Sequence, residues 1–361
     1  MSVHEILIAV MAVFAVLGAL DRIFGNRLGI GKEFENGILA MGALAMAMIG
    51  IICLAPVLAN LLKPVVVPVY HFLGADAAMF AGTILANDMG GGALAKELSS
   101  DPQAALLGGV ITGSMLGATV VFTIPVAMGI LKEEDRPHLA KGILCGVVTI
   151  PLGVLVGGLV AGFPVMMVLR NLIPIVLIAI VIAFGLWKWE KGMIRGFGLF
   201  GKGILALITA GLAAAIVQEL TGFTIIPGLA PISDGFETVG AIAIVLAGAF
   251  PLVYTITKLL KKPLLKLGKL LGVNDTAAAG LVASLANSIA TFDMLSAMDR
   301  RGKVVNVAFA VSAAFVFGDH MGFTAGFAPQ MLPAVIVAKL TGGVSAVAVA
   351  LWLTRKDEDI Q

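Results

Sequence analysis

Nine runs of mainly apolar residues, each about as long as a bilayer crossing, follow one another along this chain. They lie near 4–20, 37–62, 104–130, 141–161, 166–187, 203–218, 236–257, 303–324 and 331–353. A helical span needs about 20 such residues. Charge is too scarce for a water-soluble alternative: 13% of the residues are Asp, Glu, Lys or Arg, where soluble domains carry about 25%. The 44 glycines occur without any Ser/Gly low-complexity run, which points to close helix packing in lipid. The sequence thus predicts an all-α polytopic membrane protein. No basic n-region with a cleavage site precedes the first run, so that run is expected to be retained as a span. No long polar stretch offers a soluble domain, so binding is expected among the helices. Cys53 and Cys145 sit in apolar runs without ligand spacing and read as buried small hydrophobes.

Two further stretches, 64–98 and 263–298, are apolar but interrupted. The first carries Asp76, Asn87, Asp88 and Gly90-Gly91-Gly92; the second carries Asn274, Asp275, Asn287, Ser288, Thr291 and Asp293. About 35 residues is thin for two crossings, so each reads as a re-entrant hairpin; a pair of short spans is the alternative. Basic residues orient the layout. With the C-terminus cytoplasmic and the N-terminus outside, twenty of the 24 Lys and Arg fall in cytoplasmic loops, the exceptions being Lys63, Lys96, Arg170 and Lys339. That is the positive-inside bias. The segment 219–235 has neither Lys nor Arg and reads as external. The basic run from Lys258 to Lys269 reads as an amphipathic segment on the cytoplasmic surface, in contact with anionic lipid headgroups.

The two halves match weakly at an offset near 200 residues. Gly37, Gly42 and Gly50 correspond to Gly235, Gly240 and Gly248, Leu61-Leu62-Lys63 to Leu259-Leu260-Lys261, Leu73-Gly74 to Leu271-Gly272, and Leu85-Ala86-Asn87-Asp88 to Leu285-Ala286-Asn287-Ser288. The implied organisation is a first repeat over 1–165, a linker span over 166–200, a second repeat over 201–354 and a cytoplasmic tail over 355–361. Five crossings separate equivalent points, so the second repeat is inverted. Inverted repeats with paired broken helices are a transporter architecture, with substrate held near the midplane where the breaks meet. At the level of fold this is an analogy.

Ionisable groups at membrane depth are costly and mark functional positions. A helix ending at Asn87-Asp88 before the glycines would present carbonyl oxygens at its negative end, and the Asp88 carboxylate would add a counter-charge for an ammonium group. The Asn87 amide can donate to or accept from a hydroxyl. The alternative is that Asp88 only caps the adjacent turn. In the second hairpin Asn287 pairs with Asn87 by the repeat, beside Ser288, Thr291 and Asp293; Phe292 reads as lipid-facing, with a cation–π face as the alternative. Asp319 and His320, adjacent inside an apolar run, either bind the cation, relay a proton, or fix helix packing as a pair. The candidate substrate-binding set is therefore Asn87, Asp88, Asn287, Ser288, Asp293, Asp319 and His320. Asp76, His71 and Asp275 lie nearer the edges and read as solvated or capping. No metal site or cofactor is expected, and nothing suggests nucleic acid.

The runs Ile84-Leu85-Ala86-Asn87-Asp88-Met89-Gly90-Gly91-Gly92 and Phe317-Gly318-Asp319-His320-Met321-Gly322-Phe323 resemble the EutH family, the ethanolamine permeases of bacterial ethanolamine-utilisation operons. The resemblance covers essentially residues 1–355. It implies uptake of ethanolamine across the bacterial cytoplasmic (inner) membrane; composition and spacing alone reach only a small polar, cationic solute. A homo-oligomer and coupling to H⁺ or Na⁺ are both compatible with the sequence. Rival classes fare worse. There is no His-Glu-x-x-His for an intramembrane zinc protease, and Val316 stands where an aspartyl protease would need the first Gly of Gly-x-Gly-Asp. A structural or sensory role would leave the polar breaks unexplained.

Overall fold

The computed structural model describes residues 2–355, apart from the side chains of residues 260–262, 264, 265, 267 and 269. The end of the expected tail, with Lys356, lies outside the described residues, as do the side chains of Lys261, Lys262 and Lys269. Among the described residues the chain is helical with no strand, and seven helical stretches are long and apolar enough to cross a membrane. The chain is therefore a multi-pass membrane protein. In order the helices are α1 (Val3–Ile23), α2 (Ile30–Phe72), α3 (Ala78–Ile84), α4 (Gly91–Leu98), α5 (Pro102–Leu106), α6 (Ile124–Ile130), α7 (Arg136–Val147) and α8 (Ile150–Val160). They continue as α9 (Val165–Thr221), α10 (Ile232–Leu270), α11 (Asp275–Ala286), α12 (Ser288–Asp293), α13 (Arg300–Ala313), α14 (Asp319–Phe327) and α15 (Leu332–Leu353).

Two expected spans are much longer helices than the hydropathy runs. The 43 residues of α2 reach about 64 Å at 1.5 Å per residue, twice the roughly 30 Å hydrocarbon layer. Residues 64–72 therefore belong to α2 and residues 263–270 to α10, which places the broken hairpins at 78–98 and 275–298. Pro64 and Pro263 sit inside continuous helix. The second hairpin returns to its starting point: the Asn274 backbone N–H donates to Asp299 (2.8 Å) and its amide to the Ala297 carbonyl (3.1 Å). α9 is two arms meeting at Trp189, whose φ −134° and ψ 46° are not helical. The Met193 side chain lies against Gly185, which a straight helix would not allow, and Trp187 and Trp189 meet Phe184 edge-on as exposed aromatics of an interfacial kind.

The segment expected as one span at 303–324 is instead broken. α13 ends at Ala313 and α14 begins at Asp319, with an irregular stretch between them that holds Phe315 at φ +62°. Backbone exposed to lipid would be left without partners; here the second hairpin supplies them. The Phe315 N–H donates to the Ser284 carbonyl (3.0 Å) and the Phe317 N–H to the Leu285 carbonyl (2.9 Å). In the first half, Leu107–Gly117 and Thr119–Thr123 are wound as π-helix. This stretch is the most enclosed part of the fold, buried at every residue from Leu107 to Val121, and it packs on α3 and α4.

The helices matched in sequence make reciprocal contacts. Gly37 on α2 meets the backbone of Leu246 and Ala247, while Gly235 on α10 meets Ile49, so these two helices run antiparallel. Gly50 is pressed onto the Ile208 carbonyl of the second α9 arm, and Gly248 onto the Met11 carbonyl of α1. A side chain at either place would separate the backbones. Basic segments gather at one end: Gly29 lies on Tyr254, Gly201 on Pro125, and Lys303 bonds Asp135 at 2.5 Å.

Candidate functional site

The first hairpin places its aspartate differently from the sequence expectation. α3 stops at Ile84, Leu85 and Ala86 are extended, Asn87–Met89 form a single 3-10 turn, and Gly90 at φ +93° turns the chain into α4. Asp88 therefore lies on the turn that enters α4, not at the end of the preceding helix. The carbonyl expected to be free there is engaged: Ala86 accepts from Met89 and Gly91. Nor is Asp88 a cap. The α4 N-cap is Gly90, without a side-chain bond, and Asp88 Oδ1 is buried with no hydrogen-bond partner among the described residues.

Three elements from distant parts of the chain converge on that carboxylate. α14 starts with Asp319 and His320, and His320 Nε2 lies 3.7 Å from Asp88 Oδ1. Lys339, in the middle of α15 and 1% exposed, donates from Nζ to the Ser114 carbonyl in the π-helical stretch (2.5 Å) and approaches His320 Nδ1 at 3.0 Å. An ammonium can only donate. With Lys339 as an ammonium, Nδ1 accepts, and the ring hydrogen is then on Nε2, facing Asp88. Phe315 lies beside His320, with ring centroids 5.1 Å apart; its left-handed backbone, unusual for a bulky residue, carries the ring there.

Asp88, Asp319 and His320 line a cavity of about 1040 Å³. Its remaining wall is mostly apolar, from α2, residues 121–129 and the second α9 arm, and the exposed Arg195 and Lys202 line it where it reaches the basic end. The other candidates lie away from this cavity. Asn87 is fully buried and both its amide atoms lack partners; Ser288 is likewise buried with an unpaired Oγ. Asn287 caps α12, its Oδ1 accepting from the Ile289 N–H at 2.8 Å. Thr291 bonds Ser284 and the Gly280 carbonyl within its own hairpin. Asp293 is exposed at the end of α12. Phe292 is 1% exposed, so it faces the protein core and not lipid. The cation–π contact found among the described residues of α4 and α14 is Lys96 Nζ over Phe327, 3.7 Å from the ring centroid. Asp76 caps the start of α3, accepting from the Ala78 N–H. Lys339 and Phe315 escaped the sequence reading. For Lys339 the signal was present: a lone lysine near the centre of an apolar run, set aside as an exception to the charge count.

A polytopic helical bundle that encloses two carboxylates, an imidazole and an ammonium around a cavity belongs to the membrane transport proteins. More narrowly, the chain belongs to the EutH family: the family model described as ethanolamine utilisation protein, EutH, matches residues 3–353. The probable ethanolamine permease EutH of Listeria monocytogenes is 60% identical over 356 residues, covering 99% of this chain and 95% of that protein. The uncharacterised protein YxeR of Bacillus subtilis is 52% identical over 354 residues, 98% of this chain and 96% of that protein. The probable ethanolamine permease EutH of Salmonella typhimurium is 48% identical over 399 residues, 100% and 98% of the two chains. No solved structure matches the chain. These relatives are named as permeases, and the family is one of transporters, not enzymes.

Proposed function

We propose that this protein takes up ethanolamine, in its protonated form, across the bacterial cytoplasmic membrane, with Asp88 as the counter-charge for the substrate ammonium. The observation that carries this reading is a buried Asp88 oxygen without a hydrogen-bond partner at the wall of the cavity. Ethanolamine is mostly an ammonium ion at neutral pH and crosses lipid poorly in that form. A carboxylate at the cavity wall meets its charged end. The relatives named as ethanolamine permeases supply the identity of the solute.

The carrier frame is a pair of inverted repeats, 1–165 and 201–354, joined by the linker span. The antiparallel α2 and α10 and the reciprocal crossings at Gly50 and Gly248 support it. The cavity mouth with Arg195 and Lys202 faces the cytoplasm, by the positive-inside bias, and the N-terminus lies outside. The basic end of α10 lies against anionic headgroups.

The test is concentration-dependent uptake of labelled ethanolamine into proteoliposomes. Asp88→Asn keeps the size and one acceptor but removes the charge. A hydrogen bond to a charged group contributes about 1.5–3 kcal/mol, so the apparent affinity should fall roughly ten- to hundred-fold. Asp76→Asn, which retains the capping oxygen, should behave as wild type. If Asp88→Asn inserts normally and keeps its affinity, the assignment of Asp88 is wrong.

A further inference from the structure

We propose that the cluster around Asp88 exchanges the substrate cation for a proton, one for one, so that transport moves no net charge. The proposal rests on the reading of Asp88 as the substrate's counter-charge. Its starting point is a charge count over groups that the fold collects from three separate elements.

The cluster holds two carboxylates, Asp88 on the turn into α4 and Asp319 at the start of α14, together with the His320 imidazole and the Lys339 amine of α15. The carboxylates line the same cavity. The neighbouring elements add few further charges. α2 and residues 121–129 contribute only apolar side chains to the cavity wall, and the π-helical stretch contributes the neutral Ser114 carbonyl. Lys96 of α4, which packs against α14 through the Phe327 ring, is directed at that ring. Arg195 and Lys202 are exposed at the mouth, in contact with water.

With the four groups as two carboxylates, a neutral imidazole and a neutral amine, the cluster carries two negative charges. It is neutral only with two positive charges added, wherever among the four they reside. The Lys339 ammonium is one of them. It holds the Ser114 carbonyl and the Nδ1 of His320, and this blocks a second proton on the imidazole, which would place an N–H against the ammonium. The second positive charge therefore sits at the two carboxylates, and there are two sources for it: a proton or the substrate ammonium.

A carrier must pass through a state closed to both sides, in which the cluster has lost contact with water. His320 and Lys339 already have, and the Asp88 side chain is 15% exposed. An uncompensated ion is expensive to hold in such a state. The two forms that can close are the one loaded with substrate and the one carrying the extra proton; the empty, singly charged cluster cannot. The cycle follows. Outside, an ethanolammonium ion displaces the proton, which leaves to the outside. The loaded cluster closes and opens inward, the cation departs, and a proton from the cytoplasm takes its place for the return. One cation enters and one proton leaves, with no bond made or broken other than those to the proton. Lys339 stays bound throughout as the fixed internal charge, which explains a buried lysine at the centre of a membrane helix.

The experiment uses the whole protein in proteoliposomes, with protein-free vesicles as the control for diffusion of the neutral amine. Three readings are taken together: labelled ethanolamine uptake, the current evoked by an ethanolamine jump on a supported membrane, and luminal pH from a trapped dye. Exchange predicts protein-dependent uptake, no current, and a luminal rise in pH faster than in the control. Asp319→Asn leaves one carboxylate balanced by Lys339, so the loaded cluster carries a net positive charge; its initial uptake rate should fall at least tenfold, and the remaining uptake should generate current. Uptake by the wild type accompanied by current overturns the exchange while leaving ethanolamine transport intact. Absence of any protein-dependent uptake overturns both.

Discussion

Asp135 precedes α7 and is 0% exposed. Its Oδ1 accepts from Lys303 Nζ at 2.5 Å, and its Oδ2 from the Ser296 hydroxyl at 2.6 Å. Lys303, in the first turn of α13, keeps only 14% of its side chain exposed. The pair thus ties the loop after α6 to the end of the second hairpin across more than 160 residues of chain. Removing one partner from a buried ion pair costs about 3–5 kcal/mol, because the other charge stays buried and uncompensated. Lys303→Met should cost an amount in that range, since it strands a fully buried carboxylate with one hydroxyl. Asp135→Asn should cost less, about 1–3 kcal/mol: its amide oxygen still accepts from Lys303, its NH2 can donate to the Ser296 hydroxyl, and Lys303 can turn toward water. The double replacement Asp135→Leu with Lys303→Met removes both charges and should recover most of the loss, as apolar replacements of buried pairs do. The assay is thermal unfolding of the purified protein in detergent, comparing the midpoints of the four proteins. The reasoning fails if the double variant unfolds no later than Lys303→Met alone.

Three shorter tests address the frame. On intact cells a membrane-impermeant thiol reagent should label Ile225→Cys, in the external segment, and should reach Lys191→Cys only after permeabilisation; Cys53 and Cys145 are buried and give little background. Labelling of position 191 in intact cells would invert the orientation. Gly248→Val pushes a side chain into the Met11 carbonyl at the α1–α10 crossing and should lower stability by about 1–3 kcal/mol, as overpacking does, visible as an earlier detergent melt. Gly240→Ala, where nothing lies within 4 Å, should melt with the wild type; equal effects of the two would show that the crossing does not depend on the close approach.

Much of this protein was legible from the order of its residues. Lipid accepts helical backbone only when its polar groups are paired internally, so runs of apolar residues and the placement of Lys and Arg are written locally, and the spans could be read from them. The break at Asn87-Asp88 announced itself through three glycines, and Asp88, Asp319 and His320 through their charge at membrane depth. The break at 314–318 did not: Ala314-Phe315-Val316-Phe317-Gly318 is apolar and reads as helix. It is irregular because its N–H groups find carbonyls of the second hairpin, a partner that no local pattern encodes. Residues 64–72 were likewise read as part of the interrupted stretch, where packing carries α2 straight through. Only the tertiary structure separated Asp88 and Asp319, at the cavity, from Asn287, which caps a helix, and Asp293, at the surface. It alone joined Ser114, His320 and Lys339, whose meeting spans 225 residues of chain. Hydropathy is a property of neighbours in sequence, whereas a charge cluster is a property of neighbours in space, and helix packing alone sets which residues those are.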